Sequence, residues 1–176
     1  MKILKKVLII LGSVVGLVLI IALFLPSKMK VERSIEIARP VEEVYPMVAD
    51  FNNFAKWNSW SQMEPDAQTN ISGTPMQPGH TWSWKGNKTG TGIMKIESAK
   101  ANESLDVSLN FKEPMESTAM SYYKFEPAPS GTKVTWGFEG EAKYPHGRIF
   151  GLFIDQQLGS QFEQGLESLK KMAEGK

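Results

Sequence analysis

Arg148-Ile149-Phe150-Gly151-Leu152-Phe153-Ile154-Asp155-Gln156-Gln157-Leu158-Gly159-Ser160-Gln161-Phe162-Glu163-Gln164-Gly165-Leu166-Glu167-Ser168-Leu169-Lys170-Lys171-Met172-Ala173 is the stretch around which the chain is organised. Ile149, Leu152, Phe153, Leu158, Phe162, Leu166, Leu169 and Ala173 recur at three- and four-residue steps or near multiples of them. That recurrence predicts one long helix with an apolar face that must be covered. At about 1.5 Å per residue the helix runs roughly 39 Å, enough to cross a small domain. Gly151, Gly159 and Gly165 each cost about 1 kcal/mol relative to Ala in a helix. They imply either close backbone approach or space left open beneath the helix.

The cover has to be a sheet, because the hundred residues before this helix alternate as strands do. Val31 to Ile37 places Ile35 and Ile37 on one side, with Arg33 sharing their parity. His80, Trp82 and Trp84 alternate in the next strand, and Gly92 to Ile96 resumes after a turn at Gly86-Asn87-Lys88. Leu105, Val107, Leu109 and Phe111 share a face; so do Ala119, Ser121, Tyr123 and Phe125, and then Val134, Trp136 and Phe138. Strands on short turns with one apolar side make an antiparallel sheet, so the class is α+β. Between strands, Arg39-Pro40-Val41-Glu42-Glu43 starts a helix with acids at its positive end, and Pro46 keeps it short or kinked. Asp50 caps a second helix through Phe51, Phe54 and Trp57; residues 61–79 read as a polar connection.

The first thirty residues are a separate region. Val7 to Leu25 is nineteen residues without a charge, closed by Pro26. That length spans a bilayer and exceeds the apolar core of a cleaved signal peptide, so it predicts a retained signal anchor, with 1–30 as anchor and tether and 31–176 as the folded domain. Lys2, Lys5 and Lys6 precede the span and Lys28 and Lys30 follow it. The bias places the N-terminus in the cytoplasm and the domain in the periplasm or outside. Gly12 and Gly16 have the G-x-x-x-G spacing that lets two helices approach, a candidate seam for a weak homodimer. The region holds no acid, so the net charge of +1 divides into a basic N-terminus and a remainder at −4. No basic nucleic-acid footprint remains.

Several chemistries are excluded. The chain has no cysteine, so thiolate zinc, disulfides and a cysteine nucleophile are out. His80 and His146 are the only histidines and lie far apart, which predicts no metal site and no metal cofactor. Gly86 to Gly92 has the wrong residue order for a phosphate-binding loop and is followed by a strand, so it reads as a hairpin turn. Gly159-Ser160-Gln161 is no nucleophile elbow. Should the chain be an enzyme, His80 and Tyr123 are the acid/base candidates. Arg33 is a candidate for an acidic headgroup, against snorkelling or membrane contact.

Val31 to Trp60, Trp82 to Asn87 with Gly90 to Ile96, Phe125-Glu126-Pro127 with Gly131 to Trp136, and Phe162 to Leu166 occur in an order that resembles the bacterial polyketide cyclase/dehydrase and lipid-transport family. This family is part of the START-like (SRPBCC, helix-grip) superfamily. The resemblance implies a seven-stranded antiparallel sheet wrapped around the C-terminal helix, with a cavity between them. In such a fold Trp82, Trp84, Met94, Tyr123, Trp136, Phe138 and Phe162 line the cavity and become the candidate ligand-binding set for a lipid or other apolar small molecule. An enzyme of the cyclase or dehydratase type and a ligandless interaction domain at the membrane remain the alternatives.

Overall fold

The computed structural model describes residues 2–175; Met1 and Lys176 lie outside them. A helix α1 (Lys2–Phe24) leads into strand β1 (Lys28–Ile37), so only residues 25–27 separate them. Three short helices follow: α2 (Val41–Ala49), α3 (Phe51–Trp57) and α4 (Ser59–Met63). Six strands then run as β2 (Gln68–Ser72), β3 (Thr81–Lys85), β4 (Thr91–Lys100), β5 (Ser104–Glu113), β6 (Ser117–Ala128) and β7 (Gly131–Glu141), before the helix α5 (His146–Glu174). All strand pairs are antiparallel, in the order β1-β7-β6-β5-β4-β3-β2. The seven-stranded sheet wrapped on a C-terminal helix is therefore present.

Local chemistry explains the boundaries. Pro40 stands at the N-cap of α2, with Glu42 and Glu43 in its first turn; Pro46 inside it removes one donor, and the helix ends at nine residues. Asp50 accepts from Asn52 N and starts α3. Asn58 accepts from Ser61 N and donates to Phe54 O, closing α3 and opening α4 with one side chain. Gly175, in the left-handed region at φ 72, ends α5 and donates to Lys171 O.

Several elements differ from the sequence expectation, among them the short helix α4, which runs into the supposed polar connection. Strand β1 begins at Lys28 rather than 31, paired from its first residue with Glu141. Strand β2 lies inside the supposed polar connection; it is an edge strand with only Ile71 partly covered, so no alternation marked it. The apolar recurrence in α5 is two faces rather than one. Leu158, Phe162, Leu166, Leu169 and Ala173 turn inward, but Leu152 and Phe153 are exposed. The five-residue step from Phe153 to Leu158 rotates the stripe about 140° around the helix.

The core joins both layers. Val31, Ile37, Ile96, Leu105, Val107, Val134, Leu166 and Leu169 are buried between the sheet and α5, capped by Val44, Val48, Phe51 and Trp57 from the short helices. Arg33 has the inward parity expected, and its guanidinium is engaged within the chain. It ion-pairs with Asp155 through Nη1 at 2.9 Å and with Glu163 through Nε at 2.6 Å, both on α5. These bonds push the guanidinium further up and hold the Asp155 carboxyl below the usual range. Gly159 is the reason they form: a Cβ there would lie 2.2 Å from Arg33 Nη2. At Gly165 a Cβ would meet the Trp136 ring at 2.9 Å. Both glycines therefore mark close approach and leave no room for a ligand.

Candidate functional site

One cavity of about 800 Å³ opens between the concave face of β3 to β7, the helices α3 and α4, and the first half of α5. Alternation along the strands brings Trp82, Trp84, Met94, Tyr123, Trp136 and Phe138 to its wall from four strands, and Phe162 meets them from α5. All seven predicted residues are thus side by side. Phe54, Trp60, Leu109, Phe111, Ile154 and Leu158 complete the apolar wall, while Met115 and Phe150 stand at its rim.

Trp136 is the hub of the wall. Its ring stacks on Phe162 at 4.1 Å and on Tyr123 at 5.4 Å, with Trp57, Trp60 and Phe54 edge-on around it. Such pairs add about 0.5–1.5 kcal/mol beyond area and fix the rings in place. The indole N–H donates to Ser121 Oγ at 3.0 Å, and that hydroxyl donates to Gly137 O at 2.9 Å. Trp84 donates to Thr89 O, but the Trp82 indole N–H is buried without an acceptor among the described residues. A buried donor left unpaired costs about 1–3 kcal/mol.

The two acid/base candidates separate. His80 shares the strand parity but does not reach the cavity: it is 1 % exposed and stacks on Phe51 at 4.6 Å. Its Nε2 accepts from Phe51 N and its Nδ1 donates to Ser72 O, each at 3.0 Å, so both nitrogens serve to tie β2 to α3. Tyr123 does line the wall, and burial pushes its phenol well up, opposed by the Ser121 hydroxyl. Its proton is held firmly. Among the described residues no cluster of His, Asp and Glu is arranged for a metal.

Glu64, just after α4, is a wall residue that sequence reasoning missed. The hairpin turn after β3 holds its carboxylate with three backbone N–H groups, from Asn87 at 2.6 Å, Lys88 at 3.0 Å and Thr89 at 2.8 Å, and with the Thr89 hydroxyl at 2.8 Å. Burial works against the charge, yet these bonds outweigh it and hold Glu64 down at about 2. Gly86 makes the nest possible, since a Cβ there would lie 2.2 Å from the carboxylate. The glycine-rich turn does bind an anion, but the anion is the chain's own. Glycine spacing signalled the turn; nothing local signalled which acid would fill it.

Comparison with known proteins agrees with this architecture. Among solved structures, a Staphylococcus aureus protein of unknown function, SA2116, superposes with a TM-score of 0.65 at 12% identity, covering 84% of this chain and 94% of its own. An uncharacterised Rhizobium leguminosarum protein gives 0.63 at 13%, covering 85% and 96%. Protein Ms6760 from Mycobacterium smegmatis gives 0.60 at 16%, covering 84% and 92%. At such identities the likeness speaks for the fold. No curated protein matches the sequence significantly. The family described as polyketide cyclase / dehydrase and lipid transport matches residues 28–174, nearly the whole chain beyond α1, and to that family the chain belongs.

Proposed function

We propose that this protein is a membrane-tethered module that takes up a lipid or other apolar small molecule between the sheet and α5. The observation that carries the reading is the cavity itself: about 800 Å³ walled by rings and aliphatic side chains, within the range of small-molecule pockets. A ligandless interaction domain would be expected to fill that space with its own side chains. The unpaired Trp82 N–H favours a ligand with at least one acceptor oxygen. His80 with both nitrogens engaged, and Tyr123 with its proton held by burial, weigh for binding over turnover.

The tether in this reading is α1. Its segment Ile3–Phe24 is long and apolar enough to cross a membrane, and only 6% of its most apolar window is buried against the rest of the protein. Lys2, Lys5 and Lys6 before the span, against Lys28 and Lys30 after it, favour an N-terminus on the cytoplasmic side. A Cβ at Gly12 or Gly16 would meet nothing within 4 Å, so the seam proposed for a weak homodimer is open.

Native mass spectrometry of the full chain, extracted in a lipid-polymer particle without detergent, tests the proposal. An apolar small molecule released with the chain is the expected result. A chain that emerges bare at every charge state, from several growth conditions, would overturn it.

A further inference from the structure

The second apolar face of α5 is left about half exposed by the described residues. Phe150, Leu152 and Phe153 are 48%, 58% and 54% exposed. Beyond them the outward positions turn polar, with Gln156, Gln157, Ser160, Glu163, Gln164 and Glu167. The apolar patch is therefore confined to the first two turns of α5, which is where α1 joins. Arg148 Nη1 donates to Ala22 O at 3.2 Å and to Leu23 O at 2.8 Å, taking up carbonyls that end α1, and the Tyr144 hydroxyl donates to Leu19 O at 3.2 Å. With residues 25–27 as the only link, Phe24 and β1 can be no more than about 14 Å apart along the chain. Whatever surrounds the end of α1 also surrounds these turns.

The same place is the cavity mouth. Phe150 lines the cavity while half-exposed, and Met115, on the loop between β5 and β6, lines it while 61% exposed. We propose that Phe150, Leu152, Phe153 and Met115 form a rim that sits in the lipid interface, so that the cavity exchanges its ligand with the bilayer rather than with water. Tyr144 and Arg148 at this level match the aromatic and cationic anchors of membrane interfaces. The inference rests on the reading of α1 as a span. The occupant is lipid rather than a second copy, because the patch is continuous with the end of a helix whose own surface needs lipid.

The absence of native cysteine allows a direct test. The full chain is reconstituted in phosphatidylcholine vesicles with a single environment-sensitive fluorophore on Leu152→Cys, on Phe153→Cys or, as control, on Gln164→Cys. Spin-labelled lipid should quench the first two and spare the third. Labels at 152 and 153 that stay aqueous overturn the rim, as do labels that are shielded but untouched by spin-labelled lipid, which would mean a protein copy covers the patch. The paired variant Leu152→Asn/Phe153→Asn should slow transfer of a fluorescent fatty acid from vesicle to protein and leave its final occupancy unchanged. Should the fatty acid never enter the wild-type cavity while the labels are quenched, the ligand reading fails and the rim stands. Entry of the fatty acid with aqueous labels has the opposite meaning.

Discussion

Arg33 lies across the backbone of Gly159 and reaches two carboxylates that are 61% and 64% exposed, so each ion pair is worth only about 0–1 kcal/mol. Replacing Gly by Ala in a helix gains about 1 kcal/mol, but the new Cβ must displace the guanidinium. Gly159→Ala is therefore expected to be neutral or destabilising with Arg33 present and to stabilise by about 1 kcal/mol in an Arg33→Ala background. A double-mutant cycle by urea unfolding checks this; equal gains in both backgrounds would contradict it. The inward parity of Arg33 was legible in the sequence. Its partners were not, since they lie 122 and 130 positions away and nothing local marks them. Glu64 makes a second prediction. Its carboxyl titrates at about 2 in the fold, against roughly 4.3 in an unfolded chain. A lowered folded-state value gives stability that is fully present above the unfolded value and is lost as pH falls through the folded one. Glu64→Gln should be less stable than wild type at neutral pH. The gap should narrow below about pH 4 and close near pH 2, and a gap independent of pH would refute the role given to the nest.

At the scale of elements, α5 divides into two lengths of different exposure. Its later turns are gripped: Leu166 and Leu169 are buried against sheet and short helices. Truncating either to Ala should cost about 2–5 kcal/mol. Leu152→Asn, on the outward face, should change the stability of the fold by no more than about 0.5 kcal/mol. Thermal and urea unfolding of the three variants separates the lengths, and a large loss at Leu152 would mean the face is covered by protein. The helix and six of the strands were legible because alternation and the 3.6-residue period are local signals. The change of face between Phe153 and Leu158 was also present as a five-residue step, although two apolar faces in one helix invite being read as one. Strand β2 and the helix α4 were not legible. A five-residue edge strand with one half-covered side chain, and a five-residue helix capped by Asn58, carry too few inward positions to show a period.

For the whole molecule, the proposed function is to hold an apolar ligand between sheet and helix and exchange it at a membrane. The strand residues of the cavity wall were legible from parity once the fold was recognised, whereas Phe54, Trp60 and Glu64, which lie outside the strands, were not. The void was expected only through the family resemblance, and its volume was not legible, because it is the small difference between sheet curvature and side-chain volume and no residue encodes it alone. His80 shows the limit of parity: it shares the alternation of Trp82 and Trp84, yet sits one step beyond the wall, where Phe51 and Ser72 claim it. The chain supplies its own reporters. It has five tryptophans, none of them in α1, and Trp60, Trp82, Trp84 and Trp136 line the cavity. A brominated fatty acid quenches tryptophan only on contact, so acid dissolved in the bilayer leaves these four untouched. The decisive measurement is titration of the full chain in lipid nanodiscs with such an acid. The account predicts saturable quenching of most of the emission at one acid per chain, weakened about tenfold (about 1.4 kcal/mol) in Leu158→Trp, which fills the cavity from α5. Emission that stays unquenched in the wild type at saturating acid would contradict it.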